Sequence, residues 1–278
     1  MNPLEIAQSI RPEITIFREA IRFTRKDPTK VKLVAGLYAL SFLGPEVGHA
    51  GRLSYFALRH LDDLLDGEHF RVQNPRIYAL DIKKQIETDS FDHNDPIAQL
   101  VARAVPILEL KGENVDNPRS EFSRVIDAMI LDHDRRIERR ALSEKELLRH
   151  HANSIDPGTN LLLIGMGSSL RTTDIPEFGT ALGRAYSLRD IEKDWKLGII
   201  NVPQELLDIV GANPNTPLQE LMSDEVVQGW MFDEATEVSQ QLVRTQQRID
   251  RITEPWSRRV LSTFVSEAAN AVNPMTSI

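Results

Sequence analysis

Seven proline-centred breaks divide this chain, and between them apolar residues recur at intervals of three and four. They are Asp27-Pro28, Gly44-Pro45, Asn74-Pro75, Asp95-Pro96, Asn117-Pro118, Asp156-Pro157-Gly158 and Asn213-Pro214. Proline lacks the amide hydrogen a helix interior needs and pushes the residue before it toward extended backbone, so such steps bound helices. Strand-like alternation is scarce. The pattern predicts an all-α chain, with helices over residues 3–25, 30–43, 51–66, 75–88, 96–110, 119–140, 144–153, 158–170, 175–195, 225–251 and 255–271. Ser143 with Glu146 has the spacing of a capping box that opens a helix. No fixed-period repeat is present, and connections between helices are short, so residues 1–278 are expected to pack as one domain. The longest irregular stretch, residues 201–221 with Pro203, Pro214 and Pro217, is expected to be a surface loop or a lid.

Charge and composition narrow the partners. Hydrophobic residues make up 41% and charged residues 27% of the chain, an ordinary globular mixture. With no cysteine, disulfides, zinc–thiolate sites and thiol catalysis are excluded together. The N-terminal stretch carries Glu5 and Glu13 and no cleavage pattern of a signal peptide, so a cytoplasmic location is expected. No apolar run approaches the roughly 18 residues of a membrane span. The net charge is −8, which disfavours nucleic acid, whose phosphates need a basic stripe. An acidic chain that handles a polyanion needs metal ions between the two.

Two acidic stretches invite that reading. In Tyr55-Phe56-Ala57-Leu58-Arg59-His60-Leu61-Asp62-Asp63-Leu64-Leu65-Asp66, the side chains of Asp62 and Asp66 lie about 40° apart on a helix. Asp63 sits beside them, and Arg59 and Tyr55 continue the stripe by steps of three and four. Acids clustered at a helix C-terminus repel one another and oppose the macrodipole, which is tolerated more readily where cations bind. Hard oxygen donors at this spacing suit Mg²⁺, which shares its shell with water and phosphate oxygens. Taken alone, the stretch is equally a solvated acidic helix end. The second stretch, Tyr186 to Gly198, again puts two carboxylates, Asp190 and Asp194, on one face, with Tyr186 one turn earlier and Arg189 adjacent. Glu192 points away. Together the stretches suggest a trinuclear magnesium site around a diphosphate, with Asp62, Asp66, Asp190 and Asp194 as ligands.

These segments resemble the two aspartate-rich regions of the squalene/phytoene synthase family of trans-prenyltransferases. The first is similar to that family's tyrosine–arginine–Asp-Asp-x-x-Asp pattern, carried by Tyr55, Arg59, Asp62, Asp63 and Asp66. The second is similar to its leucine-arginine-aspartate region running into Val202-Pro203-Gln204-Glu205-Leu206. Weaker similarity covers Pro45 to Arg52 and Val125 to Leu148, including Asp132. The resemblance implies an isoprenoid-synthase-like helical bundle around a central cavity. It also implies Mg²⁺, three ions with bound diphosphate, and an allylic prenyl diphosphate whose departure leaves a cation for a carbon nucleophile. Arg59, Asp62, Asp63, Asp66, Asp190 and Asp194 are the expected catalytic set. Tyr38, Tyr55, Tyr186, Arg189 and His150 are expected to meet substrate.

Four positions depart from that pattern. Tyr186 stands where the family has a metal-binding asparagine, Gly183 where it has glutamine, Gly36-Leu37 where it has serine-phenylalanine, and Leu197-Gly198-Ile199 where it has a basic loop. Lost phosphate contacts point to a second pocket that takes a neutral acceptor, expected to be aromatic in the carbazole-prenylating manner, rather than a second diphosphate. Head-to-head condensation of two prenyl diphosphates is the alternative; a terpene cyclase or a non-catalytic scaffold fits less well. His150 and His151 could orient an acceptor or remove a proton, although packed histidines are commoner. Asp132-His133-Asp134 is a base pair or an exposed polar turn. His60 and His69 flank the first acidic group without being assigned to metal. Glu46 and His49 have di-iron spacing but no second such pair, and Gly165 to Ser169 reads as a helix end or a close crossing. Phe42, Phe56, Trp195, Trp230 and Trp256 read as core.

Overall fold

The computed structural model describes residues 3–26, 28, 31–67, 72–112 and 117–275. His69 lies outside the described residues. Twelve α-helices are described: α1 (Pro3–Lys26), α2 (Val31–Ala39), α3 (Pro45–Leu65), α4 (Pro75–Thr88), α5 (Pro96–Lys111), α6 (Pro118–Glu138), α7 (Glu144–Gly165), α8 (Phe178–Leu197), α9 (Gln204–Ile209), α10 (Leu218–Met222), α11 (Glu225–Ile249) and α12 (Pro255–Val272). Among the described residues, extended pairing is limited to one bridge between Ala141 and Ile200. The all-α expectation holds. No helix among these residues is long and apolar enough to cross a membrane.

Helix starts follow the local chemistry. Proline occupies the first turn of α3, α4, α5 and α12, where its missing amide hydrogen costs nothing. Asn74, Asp95 and Asp224 each accept a hydrogen bond from a first-turn amide. Ser143 and Glu146 form a reciprocal box at the start of α7, through Ser143 N–H to Glu146 Oε2 at 2.9 Å and Glu146 N–H to Ser143 Oγ at 3.3 Å. Gly165 to Ser169 is a helix end: Gly167 is left-handed at φ 69° and Ser168 N–H reaches back to Leu163 C=O at 3.0 Å.

Three local expectations need correction. Residues 30–43 are not one helix but α2 followed by a 3₁₀ turn, Leu40–Leu43. α3 begins at Pro45 rather than Gly51, because Gly44 turns the chain and Pro45 starts the helix directly. Asp156-Pro157-Gly158 does not break a helix; α7 runs through it from Glu144 to Gly165. Losing one amide hydrogen at Pro157 is outweighed by burial on both sides, of His150 and His151 before it and Leu161, Leu163 and Ile164 after it.

Residues 201–221 also differ from a plain loop. They hold α9 and α10, and Val202, Leu206, Leu207, Leu218 and Leu221 join Ile191, Trp195 and Val227 in one apolar cluster. The prolines mark starts, with Pro203 and Pro217 preceding the two short helices. Burying five such side chains at about 1.5–3 kcal/mol each holds this segment down.

The helices form two compact units. The first comprises Met1–Met129 and Asn160–Ser169. Its core centres on α3, which packs on α5, α4 and α1 through Leu53, Phe56, Leu61, Leu64 and Leu65. The second comprises Ile130–Thr159 and Leu170–Ile278, with α8 packed on α11 and α12. Two aromatics expected in the core lie outside it: Phe42 is 94% exposed, and Trp256 is also exposed. Trp195 and Phe56 are buried.

Candidate active site

In the first unit, the last turn of α3 carries the acidic group. Leu61, Leu64 and Leu65 face the core, so the helix can present Asp62, Asp63 and Asp66 only on its remaining side. Arg59, one turn earlier, donates to Asp62 Oδ2 at 2.7 Å and to Asp63 Oδ1 at 2.5 Å. Arg22 from α1 meets Asp63 Oδ2 at 2.7 Å and Glu19 at 2.6 Å. His60 Nδ1 lies 3.3 Å from the same Glu19. Both oxygens of Asp63 are therefore held by guanidinium groups, and its side chain is only 3% exposed. Asp63 braces Arg59, while Asp62 and Asp66 remain the carboxylates suited to a cation. Burial works against the Arg59 charge, but Asp62 and Asp63 overcome it and raise its pKa.

Aromatic rings wall this group. Arg59 sits 5.2 Å from the centroid of Phe23, and Tyr55 meets Phe23 and Phe56 edge-on at 6.0 and 5.3 Å. Burial pushes the Tyr55 hydroxyl well above the usual phenol range, so it stays protonated. Tyr38 lies elsewhere in the unit, exposed, under the guanidinium of Arg52 at 4.7 Å. Glu46 and His49 do not converge; Glu46 pairs with Lys111 at 3.2 Å and His49 with Glu13 at 2.8 Å.

In the second unit, α8 carries the other group. Arg189 forks onto Asp190 through Nε at 2.9 Å and a terminal nitrogen at 2.5 Å, and stacks 4.8 Å from the Tyr186 ring. Asn201 donates from Nδ2 to Asp194 Oδ2 at 2.8 Å. Burial, with the Asp190 charge beside it, pushes the Asp194 carboxyl up to about 7. An open groove of about 470 Å³ beside Arg189 and Asp190 has Glu192, Lys193, Lys196, Met231 and Met275 among its walls, so Glu192 shares this surface with Asp190 rather than pointing away from it, while Asp194 lies outside the lining.

Gly198 ends α8 at φ 90°, and a Cβ there would lie 2.7 Å from the Arg136 carbonyl oxygen. Glycine is thus required in the loop that lacks the family's basic residues. A cation nevertheless reaches that loop from α6: Arg135 donates to Ile200 C=O at 3.0 Å and to Asn201 Oδ1 at 2.8 Å. Its Nε donates to Asp132 at 2.6 Å, and Asp132 lies 2.9 Å from His150 Nε2. Burial opposes the Asp132 charge, but Arg135 and His150 hold its carboxyl down to about 2. His151, one residue on, is pushed down to about 3, chiefly by burial, and stays neutral. It lines a cavity of about 30 Å³ with Arg184, Ser187, Asn201, Trp230 and Glu234, room for a water or two. At Gly183, a Cβ would sit 2.5 Å from His151 Cβ. That departure is a close helix crossing as well as a lost side chain.

Among the described residues, no three acidic or imidazole groups converge into a self-sufficient metal site. The donor chemistry still fits Mg²⁺. All four expected ligands are carboxylates, the hard oxygen donors Mg²⁺ takes, and a dication near Asp194 would relieve the cost of ionising it. The residues that sequence reasoning missed are the partners: Arg22, Glu19, Arg135 and Asn201. Arg135 follows Asp132 by three residues, a visible pairing signal; nothing local joins Arg22 to Asp63.

The family model for squalene/phytoene synthase matches residues 37–275. The chain belongs to the squalene/phytoene synthase family. Its members are prenyltransferases, and this chain is one. Among solved structures, squalene synthase HpnC from Alicyclobacillus acidocaldarius aligns with a TM-score of 0.68 and 18% identity, covering 99% of this chain and 95% of that one. At that identity the likeness establishes the helical fold. Comparison with curated protein sequences gives no match.

Proposed function

We propose that the chain ionises an allylic prenyl diphosphate and joins the resulting cation to a second prenyl unit head to head. What supports this reading is the occurrence, in a member of this family, of two arginine-braced aspartate groups: Arg59 with Asp62 and Asp63, and Arg189 with Asp190. We assign Asp62 and Asp66 in the first unit, and Asp190 and Asp194 in the second, to magnesium that holds diphosphate. Bound there, the ions would neutralise the oxygens of the leaving group. The carbon–oxygen bond breaks with its electron pair leaving on diphosphate. The π bond of the second unit then forms the new carbon–carbon bond, and a proton is lost.

The side chains divide the remaining tasks. Arg189 is half exposed, so its fork to Asp190 is weak and can be exchanged for phosphate oxygens. Lys193 and Lys196 line the same groove and add positive charge. Arg59 is held from behind by Asp63 and presents its charge beside Asp62. Tyr55 and Tyr186, kept protonated by burial, offer neutral ring faces to a cation. We also read residues 1–278 as one folding domain, because α6 and α7 each supply residues to both compact units without a break.

A second reading, transfer to an aromatic non-isoprenoid acceptor, draws on two observations. Tyr186 carries a stacked arginine where the family has a metal-binding amide, and the loop at Gly198 has no basic side chain of its own. The deciding assay measures diphosphate release and products with prenyl diphosphates of graded chain length, with and without aromatic acceptors. A product that joins two prenyl units, formed from donor and Mg²⁺ alone, supports head-to-head coupling. A product that forms only with an aromatic acceptor replaces it with the second reading. Undiminished turnover in Asp62→Ala or Asp190→Ala would overturn the site assignment in either case.

A further inference from the structure

We infer that Asn201 and Arg135 are positioning residues that set which oxygen of Asp194 is offered to a divalent cation; this rests on the magnesium site proposed above. The two oxygens of Asp194 are not equivalent. Oδ2 accepts the amide of Asn201 at 2.8 Å, and a carboxylate so held directs its other oxygen elsewhere. The amide is itself fixed. Its Oδ1 accepts from Arg135 at 2.8 Å, and Arg135 also donates to the Ile200 carbonyl at 3.0 Å, one residue earlier in the same loop. That pair of bonds settles the amide orientation, because a guanidinium can only donate and must face oxygen. Nitrogen is thereby turned toward Asp194.

The guanidinium is anchored in turn. Arg135 is 3% exposed and its Nε donates to Asp132 at 2.6 Å. Asp132 is held from the other side by His150, whose side chain is 4% exposed, at 2.9 Å. Five side chains from α6, α7, α8 and the loop before α9 therefore form a continuous hydrogen-bonded line ending at the proposed ligand. A surface carboxylate would sample several rotamers; this one is aimed. The line also explains a polar side chain at 201 within a loop whose neighbours Ile200 and Val202 are fully buried in an apolar cluster. An apolar residue at 201 would bury as well but could not orient a carboxylate.

The experiment uses the full chain with Mg²⁺ and inorganic pyrophosphate as the probe, reading the rise in melting temperature as Mg²⁺ is titrated. Asn201→Ala is expected to raise the half-saturating Mg²⁺ about 10-fold or more, with the same weakening seen in KM for Mg²⁺ during turnover. Arg135→Lys keeps the charge but loses the fork, and should show the same defect should Asn201→Ala fold poorly. In an Asp194→Asn background, Asn201→Ala should add less than about a two-fold further loss, because its target is gone. Unchanged Mg²⁺ half-saturation in both Asn201→Ala and Arg135→Lys, or an equal loss in the Asp194→Asn background, overturns the inference. Asp190→Ala separates the two levels. If it retains pyrophosphate-dependent stabilisation by Mg²⁺, the site falls and the inference with it; if it loses that stabilisation while Asn201→Ala does not, the positioning role alone is wrong.

Discussion

Replacing Asp194 with asparagine should stabilise the metal-free protein at mildly alkaline pH while abolishing turnover. In the folded chain Asp194 keeps its proton up to about pH 7, whereas the ordinary carboxyl value is 3.8. The folded state therefore binds more protons than the unfolded state between those values. The contribution to stability is full below about pH 4 and is lost as pH rises through 7. At about 1.4 kcal/mol per pH unit, three units set a ceiling of about 4 kcal/mol on what the ionised carboxylate costs near pH 8. Asp194 is partly exposed, and solvent screening brings the expectation to about 2 kcal/mol. Asparagine removes the charge and keeps an oxygen that can accept from Asn201.

Other groups titrate nearby with the opposite sign. His151 is pushed down to about 3 from 6.5, so stability rises with pH between those values. Asp132, held at about 2, loses its contribution only as pH falls toward that value. Both act in parent and variant alike, so the difference between the two isolates Asp194. Urea unfolding with a chelator should give a difference near zero at about pH 4 and about 2 kcal/mol in favour of the variant at about pH 8. For a chain of 278 residues that is a rise in melting temperature of about 3–4 °C. An equal gain at both pH values, or no gain near pH 8, would refute the electrostatic account.

Asp63→Asn should cost about 2–4 kcal/mol in unfolding free energy, since it weakens a buried contact to two arginines. It should also lower kcat by loosening Arg59, and wild-type stability in that variant would remove the bracing role. Gly183→Gln should cost at least about 1–3 kcal/mol by driving a Cβ into His151. Adding His151→Gly should recover much of that loss in thermal melts, and no recovery would locate the clash elsewhere. Tyr186→Asn should lower the Mg²⁺ needed for half-maximal turnover; an unchanged requirement would show that this position does not touch metal.

How legible all this was in the sequence depends on range. Helices bounded by Asn74-Pro75, Asp95-Pro96 and Asn117-Pro118 could be placed to within a residue or so, because capping and proline chemistry act over one turn. The same locality made Arg59 with Asp62 and Ser143 with Glu146 readable at three-residue spacing. Pro157 misled because its local cost, about 3 kcal/mol, competes with burial contributed by residues far along the chain. The segment around Pro203 and Pro217 misled for the same reason: its leucines are anchored by Ile191 and Val227, on helices before and after it.

The roles of the aspartates show the limit most sharply. Asp62, Asp63 and Asp66 look alike in sequence, yet Asp63 is enclosed by arginines from two helices at 3% exposure, while Asp62, also paired with Arg59, keeps a third of its side chain exposed. Asp190 and Asp194 look equally alike, yet one meets an exposed arginine on its own helix and the other a buried amide from a loop. A carboxylate's spacing on a helix says which face it shares, and that suffices to nominate a cation site. Whether it ligates, braces or is aimed depends on which donor reaches its second oxygen, and that donor comes from elsewhere in the fold. For Asp194 the donor is anchored through Arg135 to α6 and, by way of Asp132, to His150 on α7, so the carboxylate whose pKa burial pushes up to about 7 is also held by a line of partners that runs back through two other helices.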